Sequence, residues 1–246
     1  MPLLKKLLEL RQNGQKGLAV LLDPDKEGSK GLTEKVKKLA ASRPDFFFVG
    51  GSLITGNSFH ILVEAIRHSC DVPVVIFPGS NLHIHDGADG ILLLSLISGR
   101  NPEFLIGQHV VAAPLLKQSG LEILPTAYML IDGGKATTVS YISNTMPIPA
   151  DKPDIAVSTA MAGEMLGLQL IYLDAGSGAE NPVPPEMISA VRSATGIPLL
   201  AGGGIRSAEQ AAKAWSAGAD CLVVGNALET RPEFLSELAE LRRNLC

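Results

Sequence analysis

The sequence lacks several features that would place it in whole classes of protein. No basic run is longer than a lysine or arginine pair, and 21 basic against 25 acidic residues give a net charge of −4. It therefore lacks the concentrated positive face that nucleic acid binding requires. Aromatic residues make up only 4% of the chain, too few for base-stacking platforms. No stretch of 18 apolar residues occurs, so we expect no membrane-spanning segment.

Cysteine is scarce, and its arrangement does not indicate a cross-linked or metal-bound fold. Cys70, Cys221 and Cys246 are odd in number, lie far apart and form no C-x-x-C pair. A disulfide scaffold or a structural zinc site is therefore not expected. A reducing, cytoplasmic environment is the simpler interpretation.

The N-terminal segment is leucine-rich without having the pattern of a targeting sequence. Four leucines between Leu3 and Leu8 lie at helical spacing. Lys5, Lys6 and Glu9 interrupt them, so the apolar core of a signal peptide is missing. We predict a short amphipathic helix that closes one end of the domain.

Eight short apolar or β-branched runs recur along the chain, and most of them lack alternation of polar and apolar residues. This is typical of strands that are buried on both faces in a parallel sheet. The runs cover residues 18–22, 46–49, 74–77, 90–94, 123–130, 170–173, 198–201 and 221–224. Segments of helical length separate most of them, for example residues 30–42, 58–69 and 207–217. The pattern predicts an α/β fold, a (β/α)8 TIM barrel that forms a single domain over residues 1–246.

One interval departs from this alternation of strands and helices. Only 12 residues separate Phe77 from Gly90, and Pro, Gly, Ser, Asn and Asp dominate them. A crossover between parallel strands normally needs about a dozen residues, most of them helical. We therefore predict that a loop replaces the third helix of the barrel. Its loss would uncover one side of the barrel and leave an apolar gap able to admit a long hydrophobic ligand.

The interval between the fifth and sixth strands is unusually long. Residues 132–134 are predicted to form a turn into a hairpin extension over residues 137–143. Pro147, Pro149 and Pro153 argue against a helix over residues 143–154, and a helix is predicted to follow over residues 155–168. Long loops are often functional, but a surface insertion or an oligomer contact explains this one equally well.

Glycines follow the seventh and eighth predicted strands, where barrels of this class often bind phosphate. Gly202, Gly203 and Gly204 have no Cβ, so their backbone amides can approach an anion closely. Gly225 and Asn226 provide a second set of amides at the start of a short helix. We predict a phosphate-bearing ligand here; the alternative is that the glycines only permit tight turns.

Two carboxylates and a lysine follow the first predicted strand, in the segment LLDPDK. Asp23 can hold Mg²⁺, which takes few protein ligands and relies on substrate phosphate oxygens for the rest. Ser52 follows the second strand in the segment GGS and would add a hydroxyl beside Asp23, because these two strands are neighbours. Lys26 either contacts an anion or points into solvent. An Asx-type turn with solvated charges is the alternative for the whole segment.

An H-x-H pair, His83 and His85, lies in the short interval after the third strand. Such a pair can bind zinc, but no third ligand occupies a sensible position in the sequence. An ordinary polar loop is the favoured interpretation.

Five segments occur in an order, and at intervals, that resemble one family of barrel enzymes. They are LLDPDK, VGGS, YLDAGSG, AGGGI and VVGNAL. Over about residues 18–228, the chain is similar to the geranylgeranylglyceryl phosphate synthases, a family that includes the bacterial heptaprenylglyceryl phosphate synthases. The resemblance implies a TIM barrel without its third helix. It also implies an Mg²⁺-assisted transfer of a polyprenyl group, geranylgeranyl by default, from its diphosphate to the 3-hydroxyl of sn-glycerol 1-phosphate.

The resemblance assigns roles to individual residues. Asp23 and Ser52 correspond to the Mg²⁺–diphosphate site, and Asp174 to the general base that accepts the hydroxyl proton. The positions that match the sn-glycerol 1-phosphate site are Tyr172, Leu173, Asp174, Ala175, Gly176, Ser177, Gly178, Gly203, Gly204, Gly225 and Asn226. Two positions depart from the family pattern: Asp174 stands where Glu is more common, and Leu21 stands where some members carry Lys.

The resemblance also implies partners. They are sn-glycerol 1-phosphate, a polyprenyl diphosphate, further copies of the chain in a dimer or hexamer, and a membrane surface contacted transiently during product release. The prenyl chain would occupy an apolar channel near strands three to five, with Tyr128 and Phe77 setting its depth. Two other functions stay open: a sugar-phosphate isomerase or epimerase, and a non-catalytic barrel that binds phosphate or lipid.

Overall fold

Eight parallel strands pair in sequence order in the computed structural model, which describes residues 1–27, 31–56, 58–80 and 83–245. They are β1 (Gly17–Leu22), β2 (Phe46–Gly50), β3 (Val74–Phe77), β4 (Gly90–Leu96), β5 (Glu122–Leu130), β6 (Leu170–Asp174), β7 (Leu199–Gly202) and β8 (Cys221–Val224). The last strand pairs with the first, which closes the barrel. All eight predicted runs form strands, and the predicted (β/α)8 barrel is confirmed.

Helices follow most of the strands on the outside of the barrel, and one more helix precedes the first strand. They are α1 (Leu3–Gln12), α2 (Leu32–Ala41), α3 (Phe59–Ser69), α4 (Gln108–Ser119), α5 (Thr138–Ser143), α6 (Pro153–Met165), α7 (Pro185–Ala194), α8 (Ala208–Ser216), α9 (Asn226–Thr230) and α10 (Phe234–Arg243). A π-helical turn, Glu103–Gly107, leads directly into α4. The helices predicted over residues 30–42, 58–69, 155–168 and 207–217 form α2, α3, α6 and α8. Lys30, at the start of the first of them, lies outside the described residues, as does Cys246. No helix in the described ranges is long and apolar enough to cross a membrane.

The apolar side chains pack in two layers, because residues along each strand alternate between the barrel interior and its outer face. The helices pack on the outer face. In the interior, α1 inserts Leu3, Leu7 and Leu10 against aromatic side chains from the strands. The carboxylate of Glu122 accepts hydrogen bonds from the first amides of α1. The helix therefore closes the N-terminal end of the barrel, as predicted.

The connection between β3 and β4 contains no helix in its described residues, 78–80 and 83–89. Its end is fixed by Asp89, whose carboxylate accepts from the amide of Val74 at 2.8 Å. Ile91 and Leu93 on the outer face of β4 pack with Ile84 from this connection and with α4. The predicted replacement of the third helix is confirmed for these residues; Asn81 and Leu82 lie outside them.

The predicted hairpin extension after β5 is wrong, since residues 138–143 form α5. The amide of Thr137 donates to Ser140 Oγ at 3.0 Å, as in a capping box. This local capping outweighs the strand propensity of the valine, tyrosine and isoleucine that follow. Ile131 instead pairs with Ile148 in an isolated parallel bridge.

Candidate active site

Asp174 ends β6 at the C-terminal end of the barrel and is only 7% exposed. One of its carboxylate oxygens accepts a hydrogen bond from the hydroxyl of Tyr128 at 2.6 Å, and the other accepts from the amide of Gly176 at 2.8 Å. Burial raises the pKa of Asp174, and the two hydrogen bonds partly offset that rise. A fixed carboxylate with a raised pKa is suited to accept a proton.

Phe77, Tyr128 and Tyr172 pack edge to face beside this acid, with ring centroids 5.6–6.0 Å apart. Burial raises the pKa of both tyrosines well above the ordinary value, and the charge of Asp174 adds to the rise. Both hydroxyls therefore remain protonated and can donate. The contact between Tyr128 and Asp174 was not predicted, although a signal existed. Tyr128 is opposite Tyr172 in the pairing of β5 with β6, which places Tyr128 and Asp174 on the same inner face.

Gly203 follows β7 and packs directly against the acid. Its φ is 78°, and a Cβ at this position would lie 2.7 Å from Asp174 Oδ1. Only glycine combines this left-handed backbone with such a close approach. Glycine is therefore required at position 203 because Asp174 lies so close, and not only because the chain turns tightly there.

The segments that follow β1, β2, β6, β7 and β8 line one cavity, here called the polar cleft, with an empty volume of about 1040 Å³. The predicted site residues that line it are Asp23, Ser52, Tyr172, Asp174, Gly176, Ser177, Gly178, Gly203, Gly204, Gly225 and Asn226. Ser177 Oγ donates to Asn226 Oδ1 at 3.1 Å and so joins two of these segments. The cleft thus collects most of the predicted residues in one place.

Leu173 and Ala175 are the exceptions, and the prediction that they contribute to this site is corrected for their side chains. Both side chains pack into the outer apolar layer of the barrel. The reason is the alternation of β6, in which Tyr172 and Asp174 face inward and their neighbours face outward.

Asp23 and Ser52, the two residues predicted to hold Mg²⁺, both line the polar cleft. Burial raises the pKa of the Asp23 carboxyl, and a nearby cation would compensate for the lost hydration. A Cβ at Gly51 would come within 3.5 Å of this carboxylate, so the glycine keeps the adjacent space open. The described part of the chain contains no group of three or more His, Cys, Asp or Glu able to hold a metal. A cation here would take most of its ligands from substrate and water, as Mg²⁺ commonly does.

Asp25 connects the segment after β1 to the segment after β2. Its carboxylate accepts from the amide of Thr55 at 2.6 Å, from the Thr55 hydroxyl at 2.9 Å and from the amide of Gly56 at 2.9 Å. The hydrogen bonds from Thr55 and then Gly56 lower the pKa of Asp25. This acid therefore stays ionised at neutral pH and holds together the segments that carry Asp23 and Ser52.

A second cavity, here called the apolar groove, has an empty volume of about 850 Å³. It runs along β4, at the place where a loop replaces the helix expected after β3. The apolar residues of its walls are Phe77, Pro78, Ile84, Ile91, Leu93, Leu94, Leu96, Phe104, Ala112, Leu116, Tyr128, Val139 and Ile142. Ser52 and Phe77 line both cavities. The groove and the cleft therefore meet beside these two residues.

Two histidines near the groove are neutral packing residues. The ring of His83 stacks on Phe59 with centroids 5.6 Å apart, and its Nδ1 accepts from the amide of Gly79 at 3.3 Å. His109 lies 3.2 Å from Ser95 Oγ through Nε2. Burial lowers the pKa of both rings. Of the H-x-H pair, His83 therefore packs on an aromatic ring, and the polar-loop interpretation of the pair stays a prediction.

Known proteins are similar to this chain in sequence and in fold. The sequence profile of the PcrB family matches residues 12–241. A geranylgeranylglyceryl phosphate synthase from Spirosoma linguale is 57% identical over 96% of this chain and 95% of its own length. A protein of the same name from Chitinophaga pinensis is 51% identical over 95% and 92%. The crystal structure of (S)-3-O-geranylgeranylglyceryl phosphate synthase from Thermoplasma acidophilum, in complex with its substrate sn-glycerol-1-phosphate, has a TM-score of 0.93 at 32% identity and 99% coverage of both chains.

Proposed function

This chain belongs to the PcrB family, and from that premise we propose that it transfers a prenyl group from a prenyl diphosphate to the 3-hydroxyl of sn-glycerol 1-phosphate. It is a prenyltransferase of the geranylgeranylglyceryl phosphate synthase type, with geranylgeranyl as the proposed donor group. One observation carries the assignment: a polar cleft with a buried acid meets an apolar groove at Ser52 and Phe77. A sugar-phosphate isomerase would have no use for the groove.

The acceptor occupies the polar cleft in this proposal. The glycine segments after β6, β7 and β8 hold the phosphate group through their backbone amides, with Asn226 beside them. The hydroxyl ends of the acceptor then reach inward to Asp174 and Tyr172. The crystal structure from Thermoplasma acidophilum, which contains sn-glycerol-1-phosphate, supports this choice of acceptor.

Asp174 acts as the general base. Tyr128 and Gly176 fix its carboxylate, and each oxygen keeps a second acceptor position for the acceptor hydroxyl. The hydroxyl oxygen forms a bond to the allylic carbon as the bond from that carbon to diphosphate breaks. The diphosphate leaves with the bonding electron pair, and the hydroxyl proton passes to Asp174. Aspartate is shorter than glutamate. Because Gly203 has no Cβ, the backbone after β7 can lie close to the Asp174 carboxylate.

In this proposal Asp23 and Ser52 would hold Mg²⁺ together with the donor diphosphate. A bound Mg²⁺ would supply positive charge to stabilise the diphosphate leaving group. Asp25 keeps the two segments in register through Thr55 and Gly56.

The apolar groove binds the prenyl chain. Its walls are formed mainly by apolar side chains, which suits the hydrocarbon chain of a prenyl donor. Phe77 and Tyr128 stand where the groove reaches the cleft. A chain that enters along β4 would therefore present its allylic carbon near Asp174.

We further propose a cytoplasmic homo-oligomer that contacts a membrane surface transiently when it releases its product. Within the described residues, Cys70 and Cys221 are both unpaired, which supports a reducing compartment. Hydrophobic side chains on α4, such as Val110, Val111 and Leu115, are more than half exposed and offer an apolar contact surface.

The proposal is tested by a transfer assay with radiolabelled sn-glycerol 1-phosphate and a series of prenyl diphosphates, each with and without Mg²⁺. We expect an Mg²⁺-dependent lipid product and a preference among chain lengths. Isomerisation of a sugar phosphate without prenyl transfer would favour the alternative enzyme. Binding of sn-glycerol 1-phosphate with no turnover of any donor would identify a non-catalytic binding protein.

A further inference from the structure

Lys26 lies at the rim of the polar cleft, between the segments that follow β1 and β8. Its Nζ donates to Glu229 Oε1 at 2.9 Å and lies 3.4 Å from Asn226 Oδ1 and 4.0 Å from Asp23 Oδ2. One ammonium group is therefore within reach of the residues proposed for the acceptor phosphate and of the acid proposed for the donor side. Its contacts place it at the cleft and not in bulk solvent.

We propose that Lys26 is a specificity-determining residue that binds the phosphate group of sn-glycerol 1-phosphate, and that Glu229 holds its ammonium until the phosphate arrives. This inference rests on the proposed function, because it adds a contact to the same acceptor. Leu21, near the end of β1, lines the cleft without a charge. Lys26 enters the cleft from the segment that directly follows that strand and brings a positive charge to this wall.

The charges around the cleft give this lysine its importance. Among the residues that the structure describes, three carboxylates line the cavity, those of Asp23, Asp174 and Glu229, against two cationic side chains, Lys26 and Arg206. The Arg206 guanidinium donates to the carbonyl of Ala179 at 2.6 Å, which ties it to the segment after β6. Lys26 is therefore the cation best placed to approach an anion between β1 and β8. Without it, an anionic acceptor would face an excess of negative charge.

The ion pair with Glu229 is suited to exchange. The side chains of Lys26 and Glu229 are 39% and 36% exposed, and pairs with this exposure contribute little to stability. The Lys26 amide donates to the Asp23 carbonyl at 3.0 Å, which fixes the base of the side chain, while the flexible stem lets the ammonium move. A phosphate bound beside Asn226 offers a stronger partner than one carboxylate. A neutral polyol offers none, so the exchange selects for the phosphorylated acceptor.

The two partners of this pair have opposite expected effects on acceptor binding. Lys26→Met should weaken sn-glycerol 1-phosphate binding about tenfold by calorimetry, since it removes a charge-assisted contact. Glu229→Gln should strengthen binding about two- to threefold, because the competing carboxylate is gone. Lys26→Arg should recover part of the loss. The KM for the prenyl diphosphate should stay within twofold of wild type in all three.

A matched control is the exposed pair Lys37 and Glu34 on α2, which are 3.5 Å apart and lie outside both cavities. Lys37→Met and Glu34→Gln should leave acceptor binding unchanged. Equal loss of affinity in Lys26→Met and Glu229→Gln, with lower melting temperatures, would identify a purely structural tie and overturn the proposal. So would unchanged affinity in Lys26→Met, or a rise confined to the KM of the diphosphate. If wild type neither binds nor converts sn-glycerol 1-phosphate, the proposed function itself fails.

Discussion

The polar cleft and the apolar groove are built by opposite means, although Ser52 and Phe77 belong to both. The cleft lies where the barrel is regular, at the ends of five strands, and hydrogen bonds of 2.6–3.1 Å hold its carboxylates. The groove lies where the regular pattern fails, beside the loop that replaces the helix expected after β3. A local deletion in a repeating fold thus supplies a second site of opposite chemistry without disturbing the first.

The two sites should also differ in what damages them. A hydrogen-bonded acid depends on atom type and direction, so a change of a single atom matters in the cleft. Apolar burial has no direction and scales with area, so the groove should tolerate changes of shape and respond mainly to volume. Mutations in the two cavities should therefore differ in the size and the kind of their effects.

The largest effect is expected from Asp174→Asn, an isosteric change in the cleft. An amide cannot accept the hydroxyl proton, so turnover should fall by about 10²–10⁴-fold, the usual contribution of a general base. The measurement is the initial rate of prenyl transfer at saturating substrates. Binding of sn-glycerol 1-phosphate and the cooperative thermal transition should remain.

Asp151→Asn is the matched control, since Asp151 is an exposed carboxylate outside both cavities. It should leave turnover unchanged. Turnover within twofold of wild type in Asp174→Asn would remove this acid as the base and would require the proton to leave by another route.

A smaller effect is expected when the groove is filled by Ala112→Phe. Ala112 lies on α4, is 6% exposed and faces the groove. Added volume in a packed site costs about 1–3 kcal/mol, so kcat/KM for long prenyl diphosphates should fall roughly 10- to 100-fold. Short donors should lose less, and the KM for sn-glycerol 1-phosphate should not change.

Ala113→Phe provides the control, because the neighbouring Ala113 is exposed and does not line the groove. It should resemble wild type with every donor. A uniform loss with short and long donors in Ala112→Phe would mean that the prenyl chain lies elsewhere.

The sequence made the cleft easier to predict than the groove. Each strand end carries its own local signal, such as the glycines after β7 or the carboxylates after β1, and parallel strands bring those ends together. The groove has walls from β3, β4, α4, α5 and the π-helical turn Glu103–Gly107, and these walls carry no motif of polar residues or glycines. Apolar residues in these elements look the same whether they pack inside the core or line a groove. Only the short interval after Phe77 indicated where the groove would lie.

The sequence pattern did not predict two features of the molecule, the helix α5 and the hydrogen bond between Tyr128 and Asp174. The segment 138–143 became a helix because Thr137 and Ser140 cap it, while its β-branched and aromatic residues favoured a strand. The partner of Asp174 followed from the pairing of β5 with β6, which aligns Tyr128 with Tyr172. Predicting this partner requires the exact register of β5 with β6. Sequence patterns place the ends of strands only to within a residue or more.

Tyr128→Phe tests the point where the two sites meet, since Tyr128 lines the groove and donates to Asp174. The hydrogen bond favours the charged carboxylate and opposes the rise in the pKa of Asp174 caused by burial. Its removal should raise that pKa further, so the acidic limb of the kcat–pH profile should move to higher pH. At pH values above the limb, kcat should recover to within about tenfold of wild type.

Tyr141→Phe is the control, because Tyr141 is 85% exposed and lies outside both cavities. Its pH profile should overlay that of wild type. An unshifted acidic limb in Tyr128→Phe would mean that Tyr128 serves the groove alone and that the two sites are chemically independent.

The smallest effect is expected from Asp25→Asn, which touches neither substrate but loosens the joint between the segments after β1 and β2. An amide cannot accept from both the Thr55 and Gly56 amides, so kcat/KM for the prenyl diphosphate should fall only about threefold. Because these hydrogen bonds lower the pKa of Asp25, its stabilising contribution is present above the ordinary Asp pKa and is lost as pH falls through the lowered value. The melting-temperature difference from wild type should therefore be complete at neutral pH and vanish only in strong acid. A difference that disappears between pH 5 and 7 would mean that another group controls the joint, and that the cleft is held less rigidly than its hydrogen bonds suggest.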